Sequence, residues 1–365
     1  MHRTLATAIS ATALVTACLA GIPAAAASTS MTWPVAPGTG TISAAVAKAK
    51  AGDTIQLEAG TYYDSVFVTK PLTISGVGNG KTTLRPSPHP DNFCDQANGA
   101  SEGICAVGAL DSQGNPITSH RLKGVHIQRL RVTGFQDAGV LGFNTDGLRV
   151  NGVWSDHNGG YGIARFASIN SVFEYNWTQF NGEAGLYMGD SPYANSVIRY
   201  NRSDNNTFGI FMRDSTYLQA SNNVVAGNCV GIMALWTGGE APGDLQAGHY
   251  TINDNVAAIN DAACPGGDAP PLSGIGIALA GTAHTNVWGN TVRNNKPTGQ
   301  SIASGGIVLI STAFAGGSDP SDNHVHGNDV RFNQPADIVW DGTGTGNQVN
   351  NNTCNKAIPN NLGWC

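Results

Sequence analysis

The sequence predicts an all-β fold, a single-stranded parallel β-helix with one coil per repeat, on three observations. A frame recurs from about residue 125 to the C-terminus: a short apolar stretch, an Asn, four residues, a second Asn, then a Gly-hydrophobic pair that opens the next apolar stretch. The chain carries 47 Gly and 34 Asn in 365 residues, the small and amide residues that suit tight corners. The apolar stretches are too short for helices, and their apolar residues alternate, as in Ile210-x-Met212. The same composition excludes other classes. A coiled coil or helical bundle needs more Glu, Lys, Leu and Arg, and a disordered chain does not combine 41% hydrophobic with 12% charged residues. With 19 basic against 25 acidic residues, a net charge of -6 and no basic cluster, no nucleic-acid partner is expected.

Residues 1–27 come first: Arg3, an apolar run from Leu5 to Ile22, then Pro23 and Ala24 to Ala27. This reads as a secretory signal with cleavage near Ala27, and the run is too short and too rich in Ala and Thr to span a membrane. Val15-Thr16-Ala17-Cys18 is similar to the lipobox of bacterial lipoproteins, whose Cys would carry the lipid anchor. Apolar sequence continues past Cys18 to the Ala-rich site, which favours release over anchoring. Residues 28–365 are then one β-helix domain of an extracellular monomer. Export places the other six cysteines in an oxidising compartment, where an even number suggests disulfides. Of 15 connectivities, pairing of sequence neighbours is expected: Cys94 with Cys105, Cys229 with Cys264, and Cys354 with Cys365. A metal site is the weaker alternative, since no Cys-x-x-Cys spacing occurs.

The repeat sets the rest. Its Asn pairs are Asn176 and Asn181, Asn201 and Asn206, Asn223 and Asn228, Asn255 and Asn260, Asn290 and Asn295, and Asn328 and Asn333. The Gly-hydrophobic pairs include Gly185-Leu186, Gly209-Ile210, Gly231-Ile232, Gly276-Ile277 and Gly306-Ile307; earlier coils keep the frame with less Asn. Repeats of about 22 to 25 residues, stretched to about 32 to 38 in the middle, indicate a solenoid with loops of variable length. Parallel coils stack about 4.8 Å apart, so an Asn at a fixed corner becomes a ladder of amides. The Asn-x-Ser/Thr matches at Asn176, Asn201 and Asn205 are therefore ladder or corner residues. Residues 85–119, with Cys94 and Cys105, read as a disulfide-pinned loop over one face. Residues 237–249, 262–273, 296–304 and 312–322 should also protrude, and such loops often build a cleft.

The opening of the mature chain is more specific. Thr41 to Val46, Ala51-Gly52-Asp53-Thr54-Ile55, Gly60-Thr61-Tyr62-Tyr63, Lys70-Pro71-Leu72-Thr73-Ile74 and Gly76-Val77-Gly78 resemble the start of pectate-lyase-like right-handed parallel β-helix proteins. The resemblance spans nearly the whole mature chain and implies a right-handed solenoid with a short capping helix near 41–50. Ile42, Ala45, Val46 and Ala49 give that helix an apolar face. The superfamily includes lyases, hydrolases, epimerases, esterases and non-catalytic surface proteins, so the resemblance is specific for fold and poor for function. Its catalytic signatures are incomplete here. Asn144-Thr145-Asp146-Gly147 is similar to one polygalacturonase motif, but the partner motifs are absent. Val153-Trp154-Ser155-Asp156-His157 is similar to a pectate-lyase signature, but no Arg-x-Pro-x-x-Arg follows, and the frame explains it as an ordinary coil with Trp177 standing where Trp154 does. The Asp-Pro-His motif of mannuronan epimerases and the Gly-x-x-Asp-Phe pattern of pectin methylesterases are missing.

Frame alignment supplies the candidate site. Asn144, Ala167, Asp190, Asp214 and Trp236 share one column, and Phe143, Phe166, Gly189, Arg213 and Leu235 the column before it. Asp190 and Asp214 should lie one coil apart, about 5 Å, at the strand edge. Two carboxylates so close repel unless one is protonated, an Arg intervenes, or a cation such as Ca²⁺ bridges them. Arg213 stands beside them and could instead hold a substrate carboxylate. Leu141, Ala164, Tyr187, Phe211 and Met233 form an outward stripe on which sugar rings could stack, with Phe166 and Trp236 nearby. Alternatively the long loops cover the stripe, and Asp190 and Asp214 are turn residues. Arg165 stands in a column of Met188, Met212 and Leu279, marking either a frame shift or an inward turn. Glu183, His157 and His249 could reach a cleft, although a His in an Asn-rich turn is usually a turn residue. Elimination beside a uronate would use Arg213 or Tyr187 with Ca²⁺ on Asp190 and Asp214, whereas hydrolysis would use the two carboxylates. The expectation is a secreted β-helix protein that binds and cleaves extracellular polysaccharide, uronate-containing or neutral; the alternative is a non-catalytic carbohydrate-binding solenoid.

Overall fold

The computed structural model describes residues 30–90, 92–239, 245–266 and 270–365; the expected export signal and Cys18 lie outside the described residues. Each coil passes through three parallel sheets. The first has 12 strands, from Thr32–Val35 to Gln348–Asn350, and the second has 10, from Gly60–Tyr63 to Asp329–Arg331. The third has 11, from Val66–Val68 to Ala357–Ile358. One coil consists of Arg149–Asn151, Trp154–Asp156 and Ile163–Phe166, and each strand pairs with its counterpart in the next coil. The register holds without slippage: Leu141, Ala164, Tyr187, Phe211 and Met233 are successive partners. Inside, rows such as Ile127, Val150, Phe173, Ile198, Ala220 and Ile252 stack directly and are fully buried.

The corners explain the Asn. Tyr175, Tyr200 and Asn222 have φ of 56°, 55° and 56° and precede Asn176, Asn201 and Asn223. A left-handed conformation costs a side-chain-bearing residue about 1 kcal/mol, so the next residue, the Asn, must hold the corner. The Nδ2 of Asn176 donates to Oδ1 of Asn201 at 3.0 Å, and the row continues through Asn223, Asn255, Asn290 and Asn328 to Asn352. Each Oδ1 also accepts the backbone N–H of the preceding Asn, as Asn201 does from Asn176 at 2.9 Å. A second row runs from Asn158 through Asn181, Asn206, Asn228, Asn260 and Asn295 to Asn333. It ends on buried Asp337, whose Oδ1 accepts the N–H and the Nδ2 of Asn333 at 3.0 and 3.1 Å. The other Asp337 oxygen accepts from the backbone N–H of Asn355 at 2.9 Å. Asn176 and Asn201 are thus buried ladder residues, while Asn205 is an exposed corner residue with φ 55°.

Helix α1 (Thr41–Lys48) closes the first coil, burying Ile42 and Val46. Its free N-terminal amides are satisfied by Asp64, whose Oδ2 accepts from the N–H of Ile42 and of Ser43, each at 2.9 Å. The three disulfides join sequence neighbours: Cys94 to Cys105, Cys229 to Cys264, and Cys354 to Cys365. The reading of 85–119 as loop needs correction at its centre, because Ile104–Val107 is a third-sheet strand between Val66–Val68 and Val140–Phe143. Coil geometry therefore precedes residue 125. Cys105 pairs in register with Leu141 and points outward, so its disulfide pins α2 (Phe93–Asn98) onto the outer face of this sheet.

Removing a mid-row amide should cost more than removing a terminal one. Asn223→Ala would orphan buried partners on Asn201, Asn255 and Ile198 and should destabilise by about 2–4 kcal/mol. Asn352→Ala, at a half-buried end, should cost about 1 kcal/mol. Denaturant melts of the two variants check this ordering.

Candidate functional site

A second apolar cluster lies on the outer face of the third sheet, built on the Leu141, Ala164, Tyr187, Phe211 and Met233 stripe. The Tyr187 ring packs 4.6 Å from Phe166, 4.9 Å from Tyr161 and 5.3 Å from Phe211. Loops cover much of this stripe. Tyr187 is fully buried and Phe211 is 4% exposed, so their ring faces are occupied by neighbours. Two clefts remain. One of about 370 Å³ is lined by Phe93, Leu110, Leu141, Phe143, Tyr161 and Phe166, under the Cys94–Cys105 flap. The other, of about 470 Å³, is lined by Glu183, Phe211, Arg213, Leu235, Leu272 and Phe314 among others.

Charged groups gather at and beside the larger cleft, whose lining includes Glu183 and Arg213. The strands Ala184–Ser191 and Phe208–Ser215 carry Asp190 and Asp214 at equivalent corner positions, with φ of 53° and 45°. Arg213 pairs in register with Gly189, which places its guanidinium beside both carboxyls. Asp190 and Asp214 differ sharply in their surroundings. Asp214 is buried: its Oδ1 accepts from the N–H of Thr237 at 2.7 Å, and its Oδ2 accepts from Thr237 Oγ1 at 2.6 Å and from Arg213 Nε at 3.0 Å. Asp190 is exposed, and its Oδ2 accepts from the Tyr187 hydroxyl at 3.5 Å. Arg213 keeps 40% of its side chain exposed.

Although solvent reaches Asp190 on one side, the rings behind it strip water from the other. That desolvation pushes its carboxyl above the usual range, with Arg213 pulling it back and Asp214 adding to the rise. Glu183 is also raised, chiefly by burial; a hydrogen bond from Tyr161 and the charge of Arg213 oppose the rise, and Asp137 adds to it. Burial raises the Tyr187 and Tyr161 phenols, and the neighbouring cations do not reverse this. Both carboxyls are thus shifted toward the protonated form, and neither phenol toward the ionised one.

Several expected residues have other positions. Trp236 is 8% exposed and packs in the interior cluster, which removes its ring from the outer face. His249 stacks between Tyr217 and His284 in a corner row, at 4.9 and 4.8 Å. His157 bonds Asp156, which Arg131 also grips at 2.8 and 2.6 Å, and Trp154 stacks on Trp177 at 4.9 Å. The pectate-lyase-like segment is therefore an ordinary second-sheet strand, Trp154–Asp156, followed by a corner at His157. Arg165 turns inward and is fully buried. A calcium ion bridging Asp190 and Asp214 does not fit these donors, because the Asp214 oxygens are committed to Thr237 and Arg213 and a guanidinium flanks both carboxyls. Among the described residues no group of three His, Cys, Asp or Glu side chains is arranged to hold a metal. Tyr161, Asp137 and Thr237 were missed by the sequence reading. Tyr161 alone had a signal, one position before Gly162-Ile163, where the next coils carry Ala184 and Phe208.

The family model described as right handed beta helix region matches residues 102–257. Among solved structures, the A-module of the mannuronan C-5 epimerase AlgE4 of Azotobacter vinelandii superposes with a TM-score of 0.59 at 15% identity, over 85% of this chain and 91% of that one. The AlgE6 A-module of the same organism gives 0.57 at 15% identity over 87% of each chain. The catalytic unit of a GH87 alpha-1,3-glucanase from Streptomyces thermodiastaticus gives 0.54 at 13% identity, over 89% of this chain and 65% of that one. No curated protein sequence matches significantly. At these identities the likeness concerns the fold. Register, family match and superpositions agree that the chain is a right-handed parallel β-helix repeat protein.

Proposed function

We propose that this is an exported protein that binds a polysaccharide along the outer face of the third sheet and cleaves it by acid–base chemistry. Asp190 is the proton-handling carboxyl, and Arg213 is the cation that orients the substrate and offsets charge developing on it. The observation that carries this reading is an exposed but desolvated Asp190 carboxyl under the charge of the half-exposed Arg213 guanidinium, which lines the larger cleft. Asp214 acts through Arg213, whose Nε it fixes. Glu183 supplies a second carboxyl on the wall of the larger cleft. Phe166 offers apolar cleft wall to sugar faces, while buried Tyr187 props Asp190 and Phe211 backs the larger cleft. The three fold neighbours are all named for polysaccharide substrates, two for mannuronan and one for an α-1,3-glucan, which supports the substrate class. The three disulfides suit an oxidising compartment, and among the described residues no helix is long and apolar enough to cross a membrane.

The pKa directions favour hydrolysis over elimination. An eliminating enzyme needs a deprotonated base at the sugar carbon, and both site phenols are pushed the wrong way. A hydrolase needs a carboxyl shifted toward its protonated form to act as the donor, and Asp190 and Glu183 are both shifted in that direction.

Incubating the mature protein with neutral and uronate-containing polysaccharides should release reducing ends without ultraviolet-absorbing products, in the presence or absence of chelator. Absorbing products would replace hydrolysis by elimination, and retention on a glycan without any product would leave a binding solenoid. Asp190→Asn should lower kcat by about 10²–10⁴-fold with an unchanged circular dichroism spectrum. The same variant has a stability signature. A carboxyl whose folded-state pKa lies above its unfolded value, near 3.9, costs stability as the pH rises through that window. Asp190→Asn should therefore melt higher than the wild type at pH 7, and the difference should vanish toward pH 3.

A further inference from the structure

One interior column of the solenoid runs Gly142, Arg165, Met188, Met212, Ala234 and Leu279, and Arg165 alone in it is charged. Arg165 is 0% exposed. Its Nη1 donates to the Gly189 carbonyl at 3.1 Å and to the Ser191 hydroxyl, while Nε and Nη2 have no partner among the described residues. A desolvated guanidinium without a bonded carboxylate is a heavy cost to a fold. The next two coils put Met in the same place, so packing does not demand an arginine there.

The two groups Arg165 holds are the residues on either side of Asp190. That corner has a positive φ, with the Asp190 side chain outside the sheet and the Arg165 guanidinium inside it. The Ser191 hydroxyl also accepts the N–H of Ser168 at 2.9 Å, and the Ser191 N–H donates to Ser215 Oγ at 3.1 Å, so the grip ties the corner to both neighbouring coils. We propose that Arg165 is a positioning residue for Asp190: it clamps the corner from within the solenoid and sets a positive charge behind the carboxylate, opposite the substrate. This rests on Asp190 being the working carboxyl of the proposed site.

The remaining charges around the pair are consistent with that role. Asp190 faces Arg213, Asp214 and Tyr187 on the outer side, and Arg165 is among the groups that lower its pKa. Arg165 itself faces Tyr187, Tyr250 and Asp190. The Tyr250 hydroxyl donates to the Ser215 carbonyl at 2.5 Å, and burial raises that phenol, so it supplies no counter-ion at neutral pH. Burial draws Arg165 down to about 10, which leaves it charged where the site would work.

The test is the carboxyl titration of Asp190, followed by carbon-13 NMR and assigned by the signal lost in Asp190→Asn, in the wild type and in Arg165→Met. Arg165→Met should fold with an unchanged or higher Tm, and its Asp190 midpoint should rise by about one pH unit. The alkaline limb of any pH–activity profile, where a proton-donating Asp190 loses its proton, should move with it. Arg165→Lys, which keeps the charge and loses the fork, should leave the midpoint within a few tenths of a unit while broadening the Asp190 signal. An Arg165→Met chain that does not fold, or one whose Asp190 midpoint matches the wild type, overturns the proposal. The titration needs no substrate, so a shifted midpoint in a protein that cleaves no glycan would reject the cleavage reading and leave the role of Arg165 standing.

Discussion

The structure depends on the two-residue corner, in which a left-handed residue is followed by an inward Asn. Each coil turns sharply enough to stack on the next only because that Asn engages backbone above and below it. Asn223, for example, accepts the N–H of Asn201 and donates to the Ile198 carbonyl while its amide joins the row. Strain at the left-handed position and satisfaction of the buried corner are thus coupled, and repetition makes the coupling cooperative along the axis. With the corners fixed, the three sheets keep register over the whole length, and a side chain on one coil has a defined neighbour on the next.

That rigidity is what lets a site form on the third sheet. Asp190 and Asp214 occupy equivalent corners one coil apart, yet one is a free carboxyl and the other a tie. The difference comes from Thr237, whose N–H and hydroxyl bond the two Asp214 oxygens. Rings that bury Tyr187 give Asp190 a dry back, and the interior guanidinium of Arg165 gives it a charged one. The scaffold sets positions and the excursions from it set chemistry.

Most of the architecture was legible because it repeats. The Asn pairs located both corner rows, and the Gly-hydrophobic pairs placed Arg213 opposite Gly189 and Phe211 opposite Tyr187, as the pairing shows. Where repetition lapses, the reading failed: Ile104–Val107 has the strand but no Asn frame, so it disappeared into an expected loop. Column position also said nothing about what a loop would do to a column. Trp236 shares the Asp190 column yet belongs to the core, and Asp214 lost its free oxygens to a threonine 23 residues away. Asp137 meets Glu183 only through three-dimensional packing between coils, for which sequence spacing carries no signature.

The terminal carboxylate of Asp337 has a further meaning. Every amide in its row points the same way, with N–H toward later coils and C=O toward earlier ones, so the row is a polar wire whose partial positive end emerges at Asn333. Aligned hydrogen-bonded dipoles polarise one another, and a buried anion is the natural terminator for the donor end. The solenoid is therefore directional in its electrostatics as well as in its chain. A coil appended or removed there would have to relocate that negative charge, which makes the length of the stack a property written in one aspartate.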